Sequence, residues 1–171
     1  MDNYLSKKIK SLPISATLEM AAKTRELKNK GVDIIGLSLG EPDFNTPDFI
    51  KEAAIYAIND NYNSYTPVDG YHDLKQAVCD KFRRDNGLNY EPDQIVISTG
   101  AKQSIANTIQ VLVNEGDDVL LVAPYWVSYS AIVTLAGGNP IEIRSDISTD
   151  FKISPTQLEE KITKKTKLII I

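Results

Sequence analysis

The sequence has a single cysteine and contains no long apolar run. Cys79 cannot form a disulfide within the chain, and one cysteine is typical of a cytoplasmic protein. No stretch approaches the roughly 20 apolar residues that a membrane-spanning helix requires. The first residues, MDNYLSKKIK, lack the apolar core of a signal peptide. The sequence therefore predicts a soluble protein of the cytoplasm.

The sequence also lacks the features that nucleic-acid binding and metal binding require. Nineteen Lys and Arg residues against 23 Asp and Glu residues give a net charge of -4, with neither sign concentrated in a long block. A general nucleic-acid binder is usually basic, so the charge disfavours that class. The only histidine, His72, has no second metal-ligand residue four positions on. We expect neither a nucleic-acid surface nor a metal site.

The second half of the chain alternates predicted strands and helices. The strands are the segments QIVIST, DVLLVA, PIEIR and KLIII, and the helices between them lie near residues 102–113, 127–135 and 155–162. Strands separated by helices favour right-handed crossovers and a mostly parallel sheet with helices on both faces. The predicted fold class is α/β.

The first half is predicted to contain three helices and one strand. Apolar residues recur at helical spacing in residues 15–31, 47–58 and 71–84, and DIIGLSLG at residues 33–40 is predicted to be a strand. The last strand, KLIII, has no loop after it, although an α/β sheet usually binds its ligand with such loops. We therefore expect the sequence to be part of a longer one.

The segment ISTGAKQSI predicts a strand, a turn of small residues and then a helix. Such a turn presents backbone N–H groups to an anion, and Lys102 would be poorly placed at the positive helix end without one. The segment is not a P-loop, because Ile95 and Gln103 stand where that motif needs glycine and Ser or Thr. An ordinary capped helix with a solvated lysine remains an alternative to a phosphate site.

Three other residues are candidates for a binding site at the ends of predicted strands or in loops. Trp126 follows the strand DVLLVA, where an indole could stack on a flat aromatic cofactor or simply anchor packing. Gly40 ends a strand in SLGEPDF, where a ligand could approach the backbone without meeting a Cβ, although a plain turn is the simpler interpretation. Tyr65 lies in a loop five residues before Gly70 and could be a surface contact only.

Five segments, in this order, carry a resemblance to a known family: SATL, GLSLGEPDF, YTPVDGYHDLKQA, STGAKQSI and APYWVSY. Together they resemble the amino-terminal part of class I aminotransferases of the aspartate aminotransferase type, over nearly the whole chain. The resemblance implies the fold-type I fold of pyridoxal-phosphate-dependent transferases. It also implies that residues 1–45 form the arm, helix and strand of a small domain. Residues 46–171 would be the first part of the large cofactor-binding domain.

The resemblance implies a role for each candidate residue. Three residues of one turn would hold the phosphate of pyridoxal 5'-phosphate: Gly100, Ala101 and Lys102. Trp126 would flank the cofactor ring and approach the substrate carboxylate, and Gly40 would line the substrate site. Tyr65 would reach the phosphate bound by a neighbouring subunit, which implies a homodimer.

The resemblance implies transfer of an amino group from an amino acid, with aspartate expected, to a 2-oxo acid, with 2-oxoglutarate expected. In the family, the lysine that bonds to the cofactor comes later in the chain, so no catalytic residue is assigned here and this chain alone is predicted to be inactive. Alternatives are an aromatic or prephenate-type aminotransferase, a lyase of the same fold, and a non-catalytic phosphate-ligand or interaction module. A nucleotide-binding domain is disfavoured by the missing motifs.

Overall fold

The computed structural model of the protein describes residues 4–37 and 39–171. Residues 1–3 of the predicted arm, and Ser38 of the segment SLGEPDF, lie outside the described residues. Within the described ranges the elements occur in this order: α1 (Lys7–Lys10), α2 (Ala16–Asn29), α3 (Asp48–Asn59), α4 (His72–Lys81), α5 (Ala101–Leu112), β1 (Asp118–Ala123), α6 (Ser128–Ala136), β2 (Asn139–Arg144), α7 (Pro155–Glu159) and β3 (Thr166–Ile170).

The three strands form a parallel sheet in the order β2-β1-β3. The central strand β1 is paired on both sides, and Leu120 lies opposite Ile141 of β2 and Ile169 of β3. Because helices cover a parallel sheet on both faces, its central strand is a continuous apolar run, and Val119, Leu120 and Leu121 are fully buried. Helices α6 and α7 connect the strands. The predicted α/β class and parallel pairing are confirmed.

The core around this sheet combines two helices with one face of β1. Ile109 and Val113 lie four residues apart at the end of α5 and just beyond it, so they share one side of the helix. They pack with Val119 and Leu121 of β1 and with Val133 of α6. Residues 119 and 121 are two positions apart on a strand and therefore face the same side of the sheet.

The chain divides into two compact units. One comprises Met1–Leu39 and Ile105–Ile171 and contains the sheet, and the other comprises Gly40–Ser104. The second unit contains α3 and α4, a π-helical turn at Phe82–Asn86 and a 3-10 turn at Pro92–Gln94. This division is by compactness and does not test the predicted small and large domains, so the boundary at residues 45 and 46 stays a prediction.

Two predicted strands are wrong. Residues 32–37, 39–40 and 95–99 form no strand in the part of the chain that the structure describes. Ile95 has the extended backbone of a strand, with φ -111° and ψ 132°, but no neighbouring strand pairs with it. A strand depends on hydrogen bonds to a second segment, whereas the alternation of residues reports only a tendency to be extended.

The predicted helices are confirmed within a few residues of their bounds, but not all of their apolar faces are buried. Helix α3 begins directly after Pro47, as expected of proline beside a first turn. Every residue of α3 is at least partly exposed, including Phe49 at 72% and Ile58 at 75%. The periodicity of this segment therefore identified a helix and not a buried surface.

Gly138 tests how tightly the core of the first unit is packed. A Cβ at this position would lie 2.7 Å from Val113 Cγ1 and 3.1 Å from Val133 Cγ1, and both valines are buried. We expect Gly138→Ala to lower the free energy of unfolding by about 1–3 kcal/mol, because neither side chain has room to move. Urea denaturation followed by circular dichroism measures the change.

Gly36→Ala is the matched control. A Cβ at Gly36 would come no closer than 3.9 Å to Thr24 Cγ2, which is ordinary contact. This substitution should change the free energy of unfolding by less than about 1 kcal/mol, in the stabilising direction. Equal effects of the two substitutions would contradict the packing described here.

Candidate functional site

The turn at residues 98–102, called the Gly100 turn below, leads directly into a helix, as the sequence predicts. Gly100 has φ +86°, in the left-handed region that favours glycine. Its N–H donates to the carbonyl of Ser98 at 2.8 Å. A Cβ added at Gly100 would meet no heavy atom of the described residues within 4 Å. The space beside the turn is therefore open to a ligand.

Helix α5 begins directly after this glycine. The carbonyl of Gly100 accepts from the N–H groups of Gln103 at 3.1 Å and Ser104 at 3.4 Å. The Gln103 side chain folds back, and its Oε1 accepts from the Thr99 N–H at 2.5 Å. Gln103 thus closes the turn onto the helix, a contact that sequence reasoning missed.

The donors at this helix start fit a phosphate group. Ala101 and Lys102 are exposed and belong to the first turn of α5, a position at which helices commonly bind anions. The positive end of the helix dipole and the Lys102 ammonium both favour an anion at this position. The arrangement can therefore hold the phosphate of pyridoxal phosphate through backbone donors and one positive side chain.

The loop at residues 65–70, called the Tyr65 loop below, ends against the segment that leads into the Gly100 turn. Tyr65 itself is fully exposed. The Ile97 N–H donates to the carbonyl of Asp69 at 3.0 Å. Gly70 has φ +101°, and a Cβ there would lie 2.5 Å from Ile97 Cγ1. The structure thus brings the end of this loop onto a residue three positions before Gly100.

An ion pair that sequence reasoning missed holds the same loop to α4. The Lys75 ammonium contacts the Asp69 carboxylate, and Lys75 is only 7% exposed. The hydrogen bond from Lys75 is the main cause that lowers the pKa of Asp69 from its ordinary value of 3.8. The available signal was that Lys75 lies four residues before Cys79, on the face of α4 that becomes buried.

Trp126 follows β1 and is supported by two tyrosines. The chain leaves β1 through a cis bond between Ala123 and Pro124. The Trp126 ring meets Tyr129 edge to face at 5.8 Å, and Tyr129 stacks on Tyr125 at 6.5 Å. Both tyrosines pack on the core, whereas Trp126 remains 40% exposed. The indole is therefore held by packing and still presents surface to a ligand.

A groove of about 580 Å³ lies at the carboxyl end of β1, where α/β sheets usually bind ligands. Residues 12–16 form one wall of it. The other lining residues come from the end of β1, the start of α6 and β2: Ala123, Pro124, Tyr125, Val127, Ser128, Ser130, Ala131 and Glu142. This groove lies within the first unit.

Gly40 is exposed at the start of the second unit. A Cβ at this position would meet no heavy atom within 4 Å in the described ranges, so its backbone is open to a ligand. The second unit contains Gly40, Tyr65, Gly100, Ala101 and Lys102, and the first contains Trp126. Their predicted roles in binding stay predictions.

Two further observations concern residues 4–37 and 39–171 as a whole. No group of three or more His, Cys, Asp or Glu side chains in these ranges could hold a metal ion. Among the same residues, no helix combines the length and apolar character that crossing a membrane requires.

A comparison with family models relates this arrangement to known proteins. Residues 32–171 match the model of aminotransferase class I and II. The chain belongs to this aminotransferase family. The resemblance noted in the sequence is confirmed, and it extends over most of the chain.

Individual relatives of the aminotransferase family agree with this assignment. The chain is 47% identical over all of its 171 residues to an aspartate aminotransferase of Bacillus sp. (strain YM-2), and covers 44% of that protein. It is 50% identical over 169 residues, 99% of its length, to a probable aspartate/prephenate aminotransferase of Rickettsia felis, and covers 41% of it. The chain thus spans about two fifths of the length of these curated relatives.

Solved structures of aminotransferases share the fold. The Thermus thermophilus aspartate aminotransferase with maleate superposes with a TM-score of 0.93 at 38% identity, over 98% of this chain and 44% of that chain. The aspartate aminotransferase of Rhizobium meliloti gives a TM-score of 0.91 at 40% identity, over 96% of this chain and 41% of that chain. The predicted fold, the amino-terminal part of fold type I, is confirmed.

The support of Trp126 by Tyr129 can be tested by fluorescence of residues 1–171, among which Trp126 is the only tryptophan. Tyr129→Ala removes an edge-to-face contact worth about 0.5–1.5 kcal/mol beyond the area it buries. We expect lower anisotropy and a red shift of the Trp126 emission, since the ring gains mobility and contact with water. Tyr4→Ala, at a tyrosine of the same unit that is 94% exposed, should leave both quantities unchanged. Unaltered emission in Tyr129→Ala would show that the indole is held by other contacts.

The lowered pKa of Asp69 predicts how stability depends on pH. Since the pKa is lower in the folded than in the unfolded protein, the interaction stabilises the fold above about pH 4 and is lost as the pH falls through the folded value. Asp69→Asn should therefore be less stable than the natural protein at pH 7, and the difference should shrink below pH 4. Urea denaturation of both proteins at pH 7 and below pH 4 measures this difference in stability.

Asp48→Asn is the control for this pH dependence. It removes an ion pair with Lys51 that is exposed at the surface of α3. Such pairs contribute little, so this substitution should have a small effect at either pH. A difference for Asp69→Asn that stays constant down to pH 2 would contradict the assigned role of the carboxylate.

Proposed function

We propose that the protein that carries this chain is a pyridoxal-phosphate-dependent aminotransferase, with aspartate as amino donor and 2-oxoglutarate as acceptor. The observation that supports it most is the Gly100 turn. Gly100 has a left-handed backbone conformation, lies directly before a 12-residue helix and leaves open space beside the turn. The chain that contains it belongs to the class I and II aminotransferase family. The names of the Bacillus and Thermus relatives support aspartate as the donor.

The phosphate of the cofactor would be held at the start of α5. The first turn of α5, with Ala101 and Lys102, would contact the phosphate, and Gly100 keeps the approach clear of a side chain. When bound, the cofactor supplies an electron sink through which the amino group passes from the donor to the 2-oxo acid. The protein residues at this end position it by electrostatics and backbone hydrogen bonds.

The other proposed contacts lie on exposed aromatic and backbone groups. Trp126 would cover the cofactor ring and approach the substrate carboxylate, while Tyr125 and Tyr129 keep the indole in place. Gly40 would line the substrate site with its main chain. Tyr65 would contact the phosphate bound by a second copy of the protein, so a homodimer belongs to the proposal. Its full exposure in one copy agrees with this role.

The proposal also includes the domain assignment and a cytoplasmic location. Residues 1–45 would belong to a small domain and residues 46–171 to the first part of a large cofactor-binding domain. No catalytic residue is assigned among the 171 residues, so the chemical step is proposed only for the whole protein. The free thiol of the buried Cys79 agrees with a reducing cytoplasm.

A second candidate function is transfer of the amino group to prephenate. The names of the Rickettsia and Cereibacter relatives, at 50% and 47% identity, include prephenate beside aspartate. Both candidates share the aspartate donor and the cofactor, and they differ only in the 2-oxo acid. No described contact favours a lyase, or a module that binds phosphate ligands without chemistry.

The proposal predicts that the natural protein carrying this chain binds pyridoxal phosphate and transfers the amino group of aspartate. Absorption titration measures the dissociation constant, and oxaloacetate formation with 2-oxoglutarate or prephenate measures the activity. We expect Lys102→Ala to weaken cofactor binding by about tenfold or more, because a charged group that contacts the phosphate is lost. The isolated residues 1–171 should show no steady turnover.

Lys51→Ala provides the control, since it removes an exposed lysine of α3 in the same unit. The dissociation constant of this variant for pyridoxal phosphate should equal that of the natural protein. The proposal fails if pyridoxal phosphate does not saturate the natural protein, or if ATP or NAD binds at the Gly100 turn in its place.

A further inference from the structure

The second unit contains a buried charge that the proposed contacts with the cofactor do not use. Lys75 lies on α4 and is 7% exposed, and its ammonium contacts the carboxylate of Asp69. Burial of an ammonium costs free energy unless it is paired, and apolar residues of the same volume often stabilise a protein as well or better. Stability alone therefore explains this lysine poorly.

Asp69 joins α4 to the segment before the Gly100 turn. Its carboxylate contacts Lys75, while its backbone carbonyl accepts from the Ile97 N–H at 3.0 Å. The next residue, Gly70, approaches the same isoleucine so closely that a Cβ would lie 2.5 Å from Cγ1 and 2.8 Å from Cβ. Residues 69 and 70 therefore have little freedom to move relative to Ile97.

The contacts continue from Ile97 to the phosphate end of the proposed site. Ile97 is three residues before Gly100, whose N–H donates to Ser98 at 2.8 Å. Thr99 is held in turn by Gln103 of α5 at 2.5 Å. A shift of Asp69 would therefore be transmitted to the backbone donors at the start of α5. It would also move the Tyr65 loop, because Tyr65 is only four residues before Asp69.

We propose that the Asp69–Lys75 pair positions the Gly100 turn and the Tyr65 loop relative to each other, and so sets the geometry in which this unit binds phosphate. The inference rests on the proposed function. Lys75 contacts neither phosphate nor cofactor in this scheme and acts through Asp69, so it is a positioning residue. One partly buried pair, with Lys75 buried and the Asp69 side chain 46% exposed, then adjusts both the phosphate site of its own subunit and the tyrosine offered to the partner.

The test compares two ligands that differ only in the phosphate. Pyridoxal phosphate and pyridoxal are titrated into the natural protein and into Lys75→Met, whose side chain is also unbranched, is one atom shorter and carries no charge. We expect Lys75→Met to weaken the binding of pyridoxal phosphate by about tenfold, since misaligned backbone donors lose charge-assisted hydrogen bonds. The affinity for pyridoxal should be unchanged. Circular dichroism confirms that the variant is folded at the temperature used.

Three further measurements separate positioning from simple stabilisation. Lys75→Arg keeps the charge and should restore most of the affinity for pyridoxal phosphate. Lys51→Met removes the exposed pair with Asp48 and should leave both affinities unchanged. Amide hydrogen exchange at Ile97 should be faster in Lys75→Met, because its acceptor on Asp69 is no longer held. Asp69→Asn replaces Lys75→Met if the latter does not fold, with the same expected loss.

The outcomes distinguish this inference from the proposed function. If the natural protein fails to bind pyridoxal phosphate, both are overturned. If it binds, but Lys75→Met keeps the same preference for pyridoxal phosphate over pyridoxal, the positioning role is overturned and the proposed function stands. A loss of stability in Lys75→Met without a change in that preference leads to the same conclusion.

Discussion

The burial of β1 between two parallel partners is the constraint on which the first unit depends. Val119, Leu120 and Leu121 are removed from water on both faces, and β2 and β3 satisfy their backbone groups on both edges. Helices α5 and α6 supply Ile109, Val113 and Val133 to the same core. Because β1 cannot shift without uncovering these residues, the segment that leaves its carboxyl end, which includes Trp126, begins from a well-defined position.

Much of this architecture could be predicted from the sequence, for reasons that are local. The bounds of β1 match the apolar run DVLLVA, since a strand buried on both faces needs no polar alternation. The turn before α5 could be predicted from small residues at a change from a strand-like to a helical pattern. Predictions failed where the decisive interaction was not local. Residues 95–99 were expected to form a strand, but pairing depends on a second segment that no pattern within them reveals.

The supporting contacts of the candidate site show the same limit. Lys75 occupies a position that faces inward on α4, yet a lysine reads as polar in any pattern of hydrophobicity. The burial of Lys75 is explained only by the ion pair that its ammonium forms with the carboxylate of Asp69, six residues away. Likewise, Trp126 was an evident candidate, whereas the role of Tyr129 as its support depends on ring geometry. Residues that hold a site in place are harder to predict than residues that offer unusual chemistry.

The Gly100 turn and the segment that contains Trp126 depend on different physical interactions, and this difference decides which substitutions each of them tolerates. At the Gly100 turn, the proposed phosphate contacts would come mostly from the backbone, so the backbone conformation matters more than the side chains. Any residue with a Cβ at Gly100 would strain the φ of +86° even though the space beside it is open. At Trp126, an aromatic ring is supported by other rings, whose contacts depend on shape and can adjust. The Gly100 turn therefore depends on backbone support, to which the contact of Asp69 with Ile97 contributes, whereas the position of Trp126 depends on the packing of neighbouring side chains.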